Sequence, residues 1–214
     1  MRQGATALAV LAAMMCGAAG ALAAPAGAAQ GGTPMQATAD QALLIIDIQN
    51  FYFEGGSLPL TGPVEAAKQA RRVLDRFRER RQPVIHIRHM PSSGPVTDQY
   101  AIRPEVAPLP GEKVVEKRYA NSFRDTPLLE LLRGLGVKRL VIVGMQTHMC
   151  VEAAARAAAD LGFDVTVVSD ACATRPLEYG GVQVTAAQVH ASTLAALKGT
   201  YAKIVTADEW LNGR

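Results

Sequence analysis

Short apolar runs alternate with helical stripes along most of this chain. Residues 42–46 (ALLII) are continuously apolar, the pattern of a strand buried on both faces. Residues 63–81 follow a helical period instead: Val64, Ala67, Ala70, Val73, Leu74 and Phe77 fall on one stripe, and Pro63 suits the first turn. Further strands are predicted at 83–88 (PVIHIR), 113–117 (KVVEK), 139–144 (RLVIVG), 164–169 (DVTVVS) and 202–206 (AKIVT). Helices are predicted at 127–135, closed by Gly136, at 148–161, ended by Gly162, and at 182–197. Strands that alternate with helices imply right-handed βαβ crossovers and parallel pairing. The expected fold is therefore α/β: a three-layer α/β/α sandwich of Rossmann-like type, with a six-stranded, mainly parallel sheet in one domain over 40–214.

The first residues break this pattern. Met1-Arg2 is a short positive start, an Ala/Gly-rich apolar stretch follows, and Ala21-Leu22-Ala23 is a small-x-small cleavage signal. We read 1–23 as a secretory signal peptide and 24–39, rich in Ala, Gly, Pro, Gln and Thr, as a flexible lead-in. The protein is then exported, periplasmic or secreted, with no stable membrane anchor after processing.

Composition adds little that is specific. A formal net charge of +3 and the absence of a Lys/Arg block give no polyanion site, so no nucleic-acid partner is expected. The basic stretch 71–81 is interleaved with Asp75 and Glu79, as on the solvated face of a helix. Only Cys150 and Cys172 would remain after signal removal, too few for a disulfide framework.

In open parallel sheets, function gathers beyond the carboxyl ends of the strands. Asp47 ends the first predicted strand, Lys117 the third, and Cys150 follows the fourth into a helix. A carboxylate at the mouth of a buried strand needs a positive partner or a proton donor, although Asp47 could equally cap the next turn. Cys150 falls in a first helical turn that Thr147 could cap, where unpaired N–H groups favour a thiolate and can hold an oxyanion. Its other possible fates are a small buried hydrophobe or a disulfide with Cys172. Lys117, flanked by Glu116 and Arg118, is either part of a solvated charge cluster or the cation that holds Asp47 ionised.

At these residues the chain resembles the isochorismatase-like superfamily of cysteine hydrolases. The segments that carry the resemblance are LLIIDIQNFYFEGG (43–56), VVEKRYANSF (114–123) and VIVGMQTHMCVEAAARAAADLGFDVTVVSDACAT (141–174). It implies a catalytic Asp47, Lys117 and Cys150, and a non-proline cis peptide at Met145-Gln146 that turns the amides of Gln146 and Cys150 towards an oxyanion. It also implies a small-molecule substrate and a homo-oligomer, a dimer or tetramer. Presence of the cysteine favours an amide or carbamoyl C–N bond over the enol ether of isochorismate. The loop 51–63 lacks the histidines with which the family's nicotinamidases hold a metal, so neither a metal nor another cofactor is expected. Phe51, Phe53, Tyr119, Phe123 and His148 are candidates for the pocket wall, and Tyr100 for a lid or subunit contact.

Overall fold

The computed structural model describes residues 40–213. The segments read as signal peptide and lead-in lie outside the described residues. Eight strands and five α-helices are present among the described residues. The strands are β1 (Gln41–Ile46), β2 (Val84–His89), β3 (Lys113–Lys117), β4 (Arg139–Met145), β5 (Asp164–Ala173), β6 (Leu177–Tyr179), β7 (Val182–Val184) and β8 (Lys203–Val205). The helices are α1 (Pro63–Glu79), α2 (Leu128–Gly134), α3 (Glu152–Asp160), α4 (Ala186–Leu197) and α5 (Ala207–Leu211).

Six strands form one sheet in the order β3-β2-β1-β4-β5-β8, and every pairing in it is parallel. The apolar run of β1 divides between the two faces as a strand must. Ala42, Leu44 and Ile46 pack with Leu128 and Leu132 of α2, Ala154 and Ala158 of α3, and Leu194 and Leu197 of α4. Leu43 and Ile45 face Ala66, Val73, Leu74 and Phe77 of α1 and Ala207 of α5. Both faces are thereby dry, which accounts for the lack of alternation in β1 and β4.

Strands β1 and β4 approach so closely that one position admits only glycine. A Cβ on Gly144 would lie 2.0 Å from the Ile46 carbonyl oxygen, and its φ of 134° is hostile to L side chains. This close approach falls where Ile46 hands over to Asp47 and where Gly144 leads to the Cys150 turn.

Two expectations need correction. Residues 182–197 were expected as one helix, but 182–184 form β7, paired antiparallel with β6. Gly180 (φ 59°) and Gly181 (φ 79°) make the two-residue turn with positive φ at both positions that hairpins favour. Thr185 then starts α4 with a capping box closed by Gln188. Strand β5 continues past its expected end at Ser169, because after a register shift its parallel ladder with β4 resumes at Gly144–Cys172 and Met145–Ala173, and the polar groups between find partners of their own. Ser169 Oγ donates to the Val205 carbonyl (3.0 Å), and the Ala207 N–H donates to Asp170 Oδ1 (2.7 Å).

Candidate active site

Parallel register brings three strand ends together. Asp47 follows β1 directly and adopts a left-handed φ of 50°, with no exposed surface. His89 and Lys117 end β2 and β3 and are register partners, so their side chains leave the sheet on the same face. Cys150 comes from the turn after β4. Residues 147–151 there are wound as a π turn, with the Val151 N–H donating to the Gln146 carbonyl at 3.2 Å, before α3 begins at Glu152. The helix expected from His148 therefore opens with a π turn and becomes α-helical only at Glu152, and Thr147 is not its cap. Thr147 Oγ1 instead lies 2.9 Å from His190 Nδ1.

At the centre is the ammonium of Lys117, whose side chain has no exposed surface. Its Nζ lies 2.7 Å from Asp47 Oδ2 and 3.3 Å from Cys150 Sγ. It also donates to the Tyr119 carbonyl at 3.0 Å and sits 3.3 Å from His89 Nδ1. Beyond this ion pair and the adjoining thiol, neither Asp47 oxygen has a hydrogen-bond partner. The buried Asp47 carboxylate thus has the Lys117 ammonium as its counter-charge and keeps acceptor capacity towards the adjoining thiol.

Burial, and next the negative charge of Asp47, push the Cys150 thiol up to about 12, against the pull of Lys117. This corrects the expectation of a resting thiolate. Only 4% of Cys150 is exposed, and loss of hydration penalises the charged sulfur more than one turn of backbone N–H groups can favour it. The sulfur therefore needs a base at the moment it attacks. Cys150 and Cys172 are both free thiols, so the expected alternative of a disulfide between them is excluded. Cys172 Sγ donates instead to the Val168 carbonyl, 3.3 Å away.

The peptide Met145-Gln146 is cis, and Gln146 is almost fully buried. Its side-chain Nε2 donates to the Tyr52 hydroxyl at 3.3 Å. Burial above all, with Cys150 and Asp47 close by, raises the Tyr52 phenol above its usual range, which keeps it a neutral O–H. Phe51 and Phe53, expected on a pocket wall, are packed in the core: Phe51 lies 4.1 Å from Tyr52 and 5.6 Å from Tyr100 by ring centroids, and Arg103 covers Phe53 at 4.4 Å. Tyr119 is exposed beneath the Arg124 guanidinium (3.7 Å), while Phe123 packs on Phe163. His148 is half-buried, with Nδ1 2.5 Å from Thr174 Oγ1. Burial lowers its basicity first, and the positive charge of Arg175 lowers it further.

His89 and Arg175 are thus the members of this neighbourhood that sequence reasoning left out. Tyr52 stood in the aromatic run after the Asp47 strand, whereas Arg175 lay in the loop after β5. For His89 one local signal existed, its place at the end of a strand beside the Lys117 strand. His86, three residues earlier, is a packed histidine. It bonds Glu112 at 2.9 Å, and Glu112 also receives Arg78 in a fork (2.7 and 2.8 Å).

A family model for the isochorismatase domain matches residues 41–209. The chain belongs to the isochorismatase family. It is 42% identical over 176 residues to an uncharacterized isochorismatase family protein, YddQ, of Bacillus subtilis, covering 79% of this chain and 98% of that one. A secreted isochorismatase effector of Verticillium dahliae is 33% identical over 177 residues, 80% of this chain and 90% of its own. Among solved structures, a putative isochorismatase hydrolase from Oleispira antarctica superposes with a TM-score of 0.78 at 45% identity, covering 85% of this chain and all of its own. More distant are a streptothricin hydrolase of Streptomyces noursei (37% over 145 residues; 63% and 50% of the two chains) and a maleamate amidohydrolase of Pseudomonas putida (33% over 154 residues; 63% and 72%). The protein is an isochorismatase-family hydrolase, with Cys150 beside Asp47 and Lys117 as in a cysteine hydrolase.

Donor atoms of Asp47, His89 and Cys150 lie within 4.8 Å of one another, a spacing that three metal ligands could share. The residues present do not fit that use. The Lys117 ammonium stands 2.7 Å from the carboxylate and 3.3 Å from both other atoms, where a divalent ion would have to sit. No helix among the described residues is long and apolar enough to cross a membrane.

Proposed function

We propose that this hydrolase cleaves the C–N bond of a small amide or carbamoyl compound through a thioester on Cys150. One observation carries the proposal: the buried Lys117 ammonium bridges Asp47 at 2.7 Å and Cys150 at 3.3 Å. Because the thiol is protonated at rest, Asp47 takes its proton as the sulfur attacks the carbonyl carbon. Lys117 stabilises the charge that passes between sulfur and carboxylate. The carbonyl oxygen, now an oxyanion, rests on the backbone N–H groups of Gln146 and Cys150. Collapse breaks the C–N bond, and protonated Asp47 returns its proton to the leaving amine. Water then attacks the thioester as Asp47 takes one of its protons, and the remaining OH stays on the acyl carbon as the acid product. Asp47 passes the proton to the departing sulfur, which restores the carboxylate and the Cys150 thiol. Maleamate amidohydrolase acts on an amide by its name, which supports this substrate class over an enol ether.

Export through cleavage of the signal peptide at 1–23 belongs to the same proposal, supported by the secreted fungal relative. Incubation with a panel of amides and carbamoyl compounds should yield an acyl adduct on Cys150 by intact and peptide mass spectrometry. Cys150→Ala should abolish turnover and leave the melting temperature close to that of the parent. An alanine variant that still turns over the best substrate refutes the mechanism.

A further inference from the structure

We propose that His89 is a positioning residue of this site, a neutral imidazole whose Nδ1 accepts from the Lys117 ammonium and holds it between Asp47 and Cys150. The inference rests on the role given to Lys117 above. An ammonium has three N–H donors, and this one has four acceptors in reach. Asp47 Oδ2 at 2.7 Å and the Tyr119 carbonyl at 3.0 Å take two of them. Cys150 Sγ and His89 Nδ1, each 3.3 Å from Nζ, compete for the third.

The sulfur of a protonated thiol is a weak acceptor, and a bare imidazole nitrogen is a stronger one. At rest the third N–H therefore points to His89. When negative charge develops on the sulfur, a rotation about the terminal C–N bond of Lys117 redirects that N–H without displacing the ammonium. Once the sulfur is acylated it accepts poorly again, and the N–H returns to the imidazole. His89 so keeps a fully buried cation satisfied in the states where the sulfur carries no charge, and an orphaned donor there would be costly.

The ring is held for this task from both sides. His89 and Lys117 are register partners on adjacent strands. The His89 peptide is gripped by Gln49, which has no exposed surface: its Oε1 accepts the His89 N–H at 2.7 Å, and its Nε2 donates to the His89 carbonyl at 3.0 Å and to the Tyr100 carbonyl at 2.7 Å. Gln49 stands two residues after Asp47, so one loop fixes both the carboxylate and the imidazole. An accepting Nδ1 requires the proton on Nε2 and a neutral ring. The charged and titratable groups facing the ring are Lys117 on β3, Asp47 after β1 and Cys150 in the π turn. Burial and the charge of Lys117 favour the neutral form, and Asp47 opposes them.

Two variants and one spectrum test the proposal. His89→Asn sets an oxygen near the place of Nδ1 that accepts but takes up no proton, and His89→Leu keeps bulk without an acceptor. Loss of a hydrogen bond to a charged group should lower kcat of His89→Leu by about ten- to a hundredfold, with KM within about twofold of the parent. His89→Asn should recover most of that loss, and the acid limb of its kcat/KM profile should move to lower pH. A residue that only packs would lower the melting temperature in both variants and leave the acid limb in place. Equal losses of kcat in the two variants, or an unmoved acid limb in His89→Asn, overturn the proposal. The tautomer is read without any substrate, from imidazole nitrogen-15 spectra of the whole protein. An Nε2–H tautomer at His89 supports the inference even if no amide is turned over, a result that would count against the substrate class alone. An Nδ1–H tautomer overturns it.

Discussion

Replacement of Lys117 by methionine tests whether the charge arrangement holds the site together. The side chain has no exposed surface, and methionine preserves most of its volume while removing the ammonium. Asp47 is equally buried and has no hydrogen-bond partner besides that ammonium and the adjoining thiol. Lys117→Met therefore strands a carboxylate in the dry interior, and breaking a buried pair from one side costs about 3–5 kcal/mol. For a domain of this size each kcal/mol is worth about 2–4 °C, so the midpoint of thermal unfolding should fall by about 6–20 °C. Asp47→Asn in the same background removes the stranded charge, and the double variant Asp47→Asn/Lys117→Met should regain much of the loss. A thermal melt of all four proteins at pH 7, followed by circular dichroism, completes the cycle. Additive losses, or a Lys117→Met midpoint within about 2 °C of the parent, a shift worth no more than about 1 kcal/mol, would refute the reasoning.

Two further outcomes follow from the geometry. Gly144→Ala should fail to give soluble folded protein, because its Cβ would stand 2.0 Å from the Ile46 carbonyl oxygen at a φ of 134°; normal expression and melting would contradict the claimed close approach. His86, His89, His148 and His190 all have their basicity lowered, with burial the first cause in each. Each binds its proton more weakly folded than unfolded, so its contribution to stability is complete above the unfolded value near 6.5 and is lost as pH falls from there through the folded value. Melting midpoints should decline from pH 7.5 to pH 5, and a rise over that interval would be the contrary result. Glu112, held down to about 2 by Arg78, the Leu109 N–H and His86 against its burial, adds a separate loss only below its usual value of 4.5.

Most of the scaffold was legible in the chain. Strands β1 and β4 carry uninterrupted apolar runs because helices cover both faces of the sheet, and the period of α1 marks the face it turns to Leu43 and Ile45. The hairpin of β6 and β7 was missed although its signal was present: Gly180-Gly181 stands just before residues 182–184, which a helical reading had absorbed. The extension of β5 had no local signal, since Ser169 and Asp170 look like a strand end until β8 and α5 supply their partners. Aromatic residues at 51 and 53 looked available to a ligand because a run of ring side chains after a strand does not reveal which way the chain turns.

Asp47, Lys117 and Cys150 could be singled out from order alone, because a parallel sheet delivers the residues that end its strands to one rim whatever the loops do. Local periodicity determined that much. Whether the sulfur is charged could not be read in the same way. The N–H groups at the start of a helix are written in the sequence and favour a thiolate, whereas the desolvation that opposes them comes from packing by segments far away in the chain. The acceptors around Lys117 were likewise decided in three dimensions. Tyr119 is a near neighbour in sequence, but Asp47, His89 and Cys150 come within 3.3 Å of one nitrogen only through the pairing of β1, β2, β3 and β4. Charge states and donor counts depend on distance and hydration, and these exist only once the chain has closed on itself.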